Sequence, residues 1–198
     1  MQVAHSNQGF LSFSIFKFSY KAFRQFIFSK IDDRITVPKF IFRSSQMMNR
    51  ENIDYVQSAI GYHFKNERLL VQAFIRKSYS QEHPEVQNNE VLEFYGDEAL
   101  DLYITKMMYK KFSKISEGNF ISEKNEGELT KLKSVYVSKH TLAQCAYNAG
   151  FYQFLYLGQS DIKNEVQKSA SVNEDLFEAI VGAVAVDCDW DFKVIDKV

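Results

Sequence analysis

The chain has 198 residues, 45% of them hydrophobic, and a formal net charge of −1, which suits one globular domain with a real core and a short appendage rather than two full domains. Cys145 and Cys188 allow at most one bridge and match no metal-ligand spacing, so a reducing, cytoplasmic setting is expected rather than secretion. The near-zero charge conceals a division: residues 1–48 carry seven Lys and Arg against Asp32 and Asp33, a balance of +5, whereas residues 49–198 carry 17 basic and 23 acidic side chains, a balance of −6.

Residues 1–48 differ from the rest, with nine phenylalanines between Phe10 and Phe42 and no carboxylate before Asp32. Three readings fit this extension: an organelle-import presequence, an amphipathic segment for a partner or membrane surface, or sequence translated upstream of a true start at Met47 or Met48. No membrane span is expected, because Lys17, Lys21, Arg24 and Lys30 interrupt every apolar run well short of about 20 residues. From Asn49 onward the apolar spacing is helical almost throughout, and Pro38 and Pro84 are the only prolines in the sequence. Ile53, Val56 and Ile60 form one stripe ended by Gly61, and Leu69, Leu70, Ala73 and Phe74 form the next. Residues 81–88, around Pro84, read as a loop. A long helix is predicted over about 89–112, a polar stretch over 113–125 and a further helix over 126–137, and strand signals are weak along the chain. Ser138 or Lys139 opens another helix, closed by Gly150. Residues 159–168 read as a loop or helix start, residues 172–186 as a strongly apolar helix, and a last helix begins near Asp191. The fold class is therefore all-α. The aromatic run Tyr147, Phe151, Tyr152, Phe154 and Tyr156 reads as core rather than as a base-stacking surface.

Two helices carry the chemistry. At about 100° per residue, Glu90, Glu93, Asp97 and Asp101 fall within an arc of roughly 80°, with Leu92, Tyr95, Ala99, Leu102 and Tyr103 on the opposite, core side. A solvated helix face is the ordinary reading of such a stripe. Against it, no Lys or Arg occurs between Glu85 and Thr105 to offset four like charges, and Gly96 inside the helix costs up to about 1 kcal/mol relative to alanine unless something approaches closely. The pattern repeats at Asp175 and Glu178, three residues apart, with Ala179 and Gly182 on the same side and Phe177, Ile180, Val181 and Val184 towards the core. Carboxylates in so apolar a helix need partners. Glu93, Asp97, Asp175 and Glu178 brought together would make an all-oxygen site suited to Mg²⁺, with Mn²⁺ able to substitute. No histidine spacing, nucleophile triad or phosphate-cradling loop competes with this reading.

These runs carry a family resemblance. Asn89-Glu90-Val91-Leu92-Glu93-Phe94-Tyr95-Gly96-Asp97 resembles the ribonuclease III signature, and Asp175-Leu176-Phe177-Glu178-Ala179-Ile180-Val181-Gly182-Ala183 its second acidic motif. Glu126-Gly127-Glu128-Leu129-Thr130-Lys131-Leu132-Lys133, Gly61-Tyr62-His63-Phe64-Lys65-Asn66 and Arg76-Lys77-Ser78-Tyr79 fit in the same order. The resemblance covers residues 49–198 and implies the helical ribonuclease III endonuclease-domain fold. It further implies metal-dependent hydrolysis of double-stranded RNA to 5′-phosphate and 3′-hydroxyl products. By the same resemblance Glu93, Asp97, Asp175 and Glu178 hold the metal, with Asp97 and Glu178 catalytic, and Glu90 and Glu126 are accessory acidic positions. Phe94 corresponds to a contact that enters a pocket of the second subunit in a homodimer; ordinary core packing is its other reading. Many members of the family continue into a double-stranded-RNA-binding domain, whereas this sequence stops at Val198, and its acidic balance leaves a separate RNA-binding module as a candidate partner. The rival function is a non-catalytic RNA-binding or ribosome-associated scaffold, which the presence of all four carboxylates disfavours.

Overall fold

A computed structural model describes residues 48–195 of the chain. The extension at 1–47, with its three readings, lies outside the described residues. Helices α1 (Arg50–Ile60), α2 (Glu67–Ala73) and α3 (Lys77–Glu82) lead into the long α4 (Glu90–Phe112). A hairpin of β1 (Ser113–Ser116) and β2 (Asn119–Ser122) follows, then α5 (Glu126–Tyr136), α6 (Lys139–Asn148), a 3₁₀ turn at Phe151–Phe154, α7 (Gln159–Lys163), α8 (Ala170–Asp187) and the short α9 (Phe192–Ile195). Among the described residues no helix is long and apolar enough to cross a membrane.

The helix boundaries follow from side-chain capping. The side chains of Asn49, Asn66, Asn125, Ser138 and Ser169 each accept a bond from a first-turn backbone N–H, and Asn125 with Glu128 closes a full capping box, satisfying donors a helix start otherwise leaves orphaned. Gly61 and Gly150 take left-handed backbone at helix ends, where a Cβ is disfavoured.

Helix α8 is the axis of the domain. It is apolar nearly all round, with Val172, Leu176, Phe177, Ala179, Ile180, Ala183, Val184 and Ala185 buried, and α4, α6 and α2 pack against it, as expected for a helix without a solvent face. Its C-terminal end is pinned by Asp187, which accepts bonds from Tyr62 Oη (2.7 Å) and the backbone N–H groups of Lys65 (2.8 Å) and Asn66 (2.9 Å). Burial works to raise the Asp187 carboxyl, but these donors outweigh it and hold it below the usual carboxylate range. Phe74, Phe151 and Phe154 meet edge to face beside α1, so that part of the aromatic run is core as predicted. Cys145 and Cys188 are free and buried.

Three expectations need correction, the first being Tyr147 of the aromatic run, which is exposed and stacks on the partly buried Tyr152 instead of entering the core. Residues 113–122 form an antiparallel hairpin, with Ser113 opposite Ser122 and Ile115 opposite Phe120. Its two-residue loop, Glu117-Gly118, has positive φ at both positions, the geometry that matches strand twist in tight hairpins. The fold remains predominantly helical. Tyr95 and Leu102, assigned to the core side of α4, are exposed together with Val91, Phe94 and Tyr109. Helix α4 therefore has a third, uncovered apolar flank besides its core and acidic faces.

Candidate active site

The acidic stripes meet because α4 and α8 cross backbone to backbone. A Cβ on Gly96 would lie 1.8 Å from the carbonyl oxygen of Glu178, and one on Gly182 would lie 1.9 Å from that of Leu92. Any side chain at either position would force the helices apart. Upstream, the buried Asn89 fixes the start of α4, its amide donating to Ala73 O (3.2 Å) while its backbone N–H donates to Ile75 O (2.9 Å). Buried Asn173 does the same at the start of α8, donating to the carbonyls of Gln167 (2.8 Å) and Ser169 (2.9 Å). The first motif thus contains both carboxylates and the asparagine that aims them, and Asn173 stands two residues before the second.

At this crossing Glu178 lies within electrostatic reach of Asp97, Glu93 and Asp175, and Glu93 within reach of Asp175. Burial, followed by repulsion from Asp97, Glu174, Glu93 and Asp175, pushes Glu178 up to about 8. Glu93 is raised by burial first and then by Asp175 and Glu90, against a lowering influence from Arg76. A carboxyl that resists ionisation at neutral pH, first because it is buried and then because others crowd it, marks a site short of positive charge. Glu90 lies at the edge and accepts from Lys77 Nζ (2.9 Å). The donor set is all oxygen, which fits a hard divalent cation such as Mg²⁺. Among the described residues, no three His, Cys, Asp or Glu side chains are already gathered at ion-holding distance, so the fit rests on shared facing, repulsion and donor chemistry.

Several participants were not foreseen. Glu174 stands beside Asp175 and reaches Lys139 Nζ at 2.9 Å; its place one turn before Glu178 was the signal that could have found it. Arg76 enters from the segment before α3, its Nη1 3.0 Å from Asp175 Oδ2 and its Nε 3.4 Å from Asp161 Oδ2. These cations come from other elements, which the local scan along α4 could not see. Asp101 is structural, paired with Lys133 Nζ at 2.7 Å.

Glu126 is not joined to the carboxylate set within one chain. It starts α5 and lines an open cleft with Met108, Tyr109 and Phe120, roughly 22 Å along α4 from the level of Glu93 at 1.5 Å per residue. Phe94 is 63% exposed, its ring edge-on to Tyr95, which removes core packing as its role within the chain.

Residues 66–191 match the family model described as Ribonuclease-III-like. Ribonuclease 3 of Treponema succinifaciens is 70% identical over 151 residues, covering 76% of this chain and 41% of that relative. Ribonuclease 3 of Roseburia hominis is 44% identical over 162 residues, covering 75% of this chain and 45% of the relative. The chain thus spans less than half the length of these two curated relatives. Among solved structures, the nuclease domain of ribonuclease III from Campylobacter jejuni, described for structural flexibility in a region involved in dimer formation, aligns with a TM-score of 0.62 at 28% identity, over 73% of this chain and 92% of that one.

Proposed function

The chain belongs to the ribonuclease-III-like family, and from that premise we propose that it is a metal-dependent endoribonuclease hydrolysing double-stranded RNA to 5′-phosphate and 3′-hydroxyl ends, acting in the cytoplasm as a homodimer. The observation that carries the reading is the α4–α8 crossing, where Gly96 and Gly182 let two acidic stripes share one side. Glu93 and Asp175 are assigned to positioning Mg²⁺, and Asp97 and Glu178 to the side where water attacks. A bound divalent cation supplies a nucleophile at neutral pH and offsets charge on the leaving 3′-oxygen. Asp97 and Glu178 would hold the cation on the side where water attacks and would orient that water; burial, followed by repulsion from Asp97, Glu174, Glu93 and Asp175, pushes Glu178 up to about 8 in the metal-free chain. Glu90 stands at the rim as an accessory acid.

The homodimer reading is supported by the uncovered flank of α4. Val91, Phe94, Tyr95, Leu102 and Tyr109 are all exposed and lie 18 residue steps from first to last, roughly 27 Å of helix, with Glu98 among them, and an apolar stripe of that length marks a protein contact. A two-fold contact would pair the stripe with itself. The open cleft of about 440 Å³ lined by Met108, Tyr109, Phe120 and Leu129 is large enough to receive Phe94 from the other copy. The same pairing would carry Glu126 of one copy towards Glu90 of the other, giving it an accessory role that one chain cannot.

Incubating the full chain with a long RNA duplex in Mg²⁺ and in chelator, and sequencing the product ends, tests the reading. Mg²⁺-dependent internal cuts with 5′-phosphates are expected. Intact duplex bound without cleavage in Mg²⁺ would favour the non-catalytic scaffold.

A further inference from the structure

The acidic site holds one cation of its own that is neither peripheral nor loose. Lys77 and Lys139 meet Glu90 and Glu174 at the rim and are more than half exposed. Arg76 is different: its side chain is 23% exposed, and it reaches inward to Asp175, itself 24% exposed. Different nitrogens of one guanidinium serve different carboxylates, Nη1 on Asp175 Oδ2 and Nε on Asp161 Oδ2. The far carboxylate is itself anchored, because Ser78 Oγ donates to Asp161 Oδ2 at 2.6 Å and accepts from Gly158 N at 3.1 Å. The two backbones lie close at this anchor, since a Cβ on Gly158 would lie 2.6 Å from Ser78 O. The backbone of Arg76 is fixed as well, its N–H donating to Tyr156 O at 3.1 Å beside the parallel bridge between Ile75 and Tyr156.

From this chain of contacts we propose that Arg76 is a positioning residue for divalent-ion binding: braced by Asp161 and Ser78, it holds Asp175 by Oδ2 and so fixes the orientation of a carboxylate that would ligate the ion. The inference rests on the metal-dependent reading above and adds a residue to it. A rigid guanidinium fork suits such a bridge between two carboxylates, and a lysine ammonium, a point charge on a flexible stem, does not. Groups that orient metal-ligating side chains typically change metal affinity by about 10–100-fold when removed.

The proposal makes a prediction of unusual sign. By charge alone, deleting a cation from an acidic cluster should tighten binding of Mg²⁺ or Mn²⁺. If Arg76 positions Asp175, Arg76→Ala should instead weaken it, by about 10-fold or more. The test is calorimetric titration of the full chain with Mn²⁺ in the absence of RNA, with circular dichroism on the same samples. Asp161→Asn, which keeps the arginine and loosens its brace, should weaken binding in the same direction, and serves if Arg76→Ala does not fold. Arg76→Lys should fail to restore wild-type affinity, and the Arg76→Ala/Asp161→Asn double variant should lose no more than Arg76→Ala alone, because the two act as one unit. Folded Arg76→Ala or Asp161→Asn protein that binds Mn²⁺ as tightly as wild type, or tighter, overturns the positioning role and leaves the endonuclease reading standing. Wild-type protein that binds no divalent ion overturns both.

Discussion

At its N-terminal end α4 lies backbone to backbone against α8, with carboxylates crowded around Gly96 and Gly182; at its C-terminal end Tyr109 stacks on Phe120 of a hairpin whose Ile115, Phe120 and Ile121 face solvent. Both ends leave a demand unmet within the chain, but of different kinds. The packed end holds more carboxylates than cations, and burial, then mutual repulsion, holds Glu178 near 8. The open end and the flank beside it lack apolar cover. Tight packing thus builds the site for an ion, and loose packing leaves a surface for a protein, on one helix.

The largest effect should come from the packed end. Glu178→Gln keeps side-chain volume and removes a proposed ligand charge, and cleavage of duplex RNA should fall by at least about 100-fold while circular dichroism stays unchanged. The same variant should gain stability in chelator. Glu178 titrates at about 8 in the fold against an ordinary value of 4.5, so the folded state favours its protonated form. That contribution is complete below the ordinary value and lost as pH rises through about 8. Glu178→Gln should therefore melt higher than wild type above that pH, by about 2–4 °C for each kcal/mol relieved, and show no such gain well below it. A cleavage rate equal to wild type would remove Glu178 from the chemistry.

Phe94→Ala should act on the flank instead. Truncating an aromatic anchor in an interface costs about 2 kcal/mol or more, roughly 30-fold in dimer affinity, while an exposed side chain contributes within about 0.5 kcal/mol to the fold of one chain. Sedimentation over a concentration series reads the first and thermal melting the second. An unchanged dimer would move the contact elsewhere. Smallest of all should be Ile115→Ser, which removes an exposed hairpin side chain opposite Phe120 and outside the cleft and should shift stability by less than about 1 kcal/mol. A marked loss of dimer in this variant would extend the interface from the cleft over the rest of the hairpin and sharpen the contrast between the two ends.

The sequence made the packed end legible and the open end obscure, for reasons that lie in the residues. Glu93 and Asp97, and Asp175 and Glu178, are spaced for one helix face, and Gly96 and Gly182 are costly in helices unless something comes near; local spacing alone carried those inferences. Gly61, Ser138 and Gly150 marked helix ends through conformational preferences that act within a turn. The hairpin gave no such signal, because Ile115 and Phe120 pair with each other on a face that its own chain leaves exposed, and its alternation does not follow the core. Periodicity also identified Tyr95 and Leu102 as apolar without saying whether a neighbour covers them. Arg76 and Lys139 escaped because their partners, Asp175 and Glu174, lie 99 and 35 residues away in the sequence.

The claim at the centre of the account is that the close α4–α8 crossing makes scattered carboxylates into one site. Gly182→Ala tests it most directly, since the added Cβ would lie 1.9 Å from Leu92 O and must push the helices apart, at a cost in stability of about 1–3 kcal/mol. With the duplex cleavage rate measured per folded molecule at a temperature where the variant remains folded, the account predicts a drop of at least about 100-fold, because a displacement near 1 Å already costs that much in catalysis. A folded Gly182→Ala protein cleaving at the wild-type rate would contradict it.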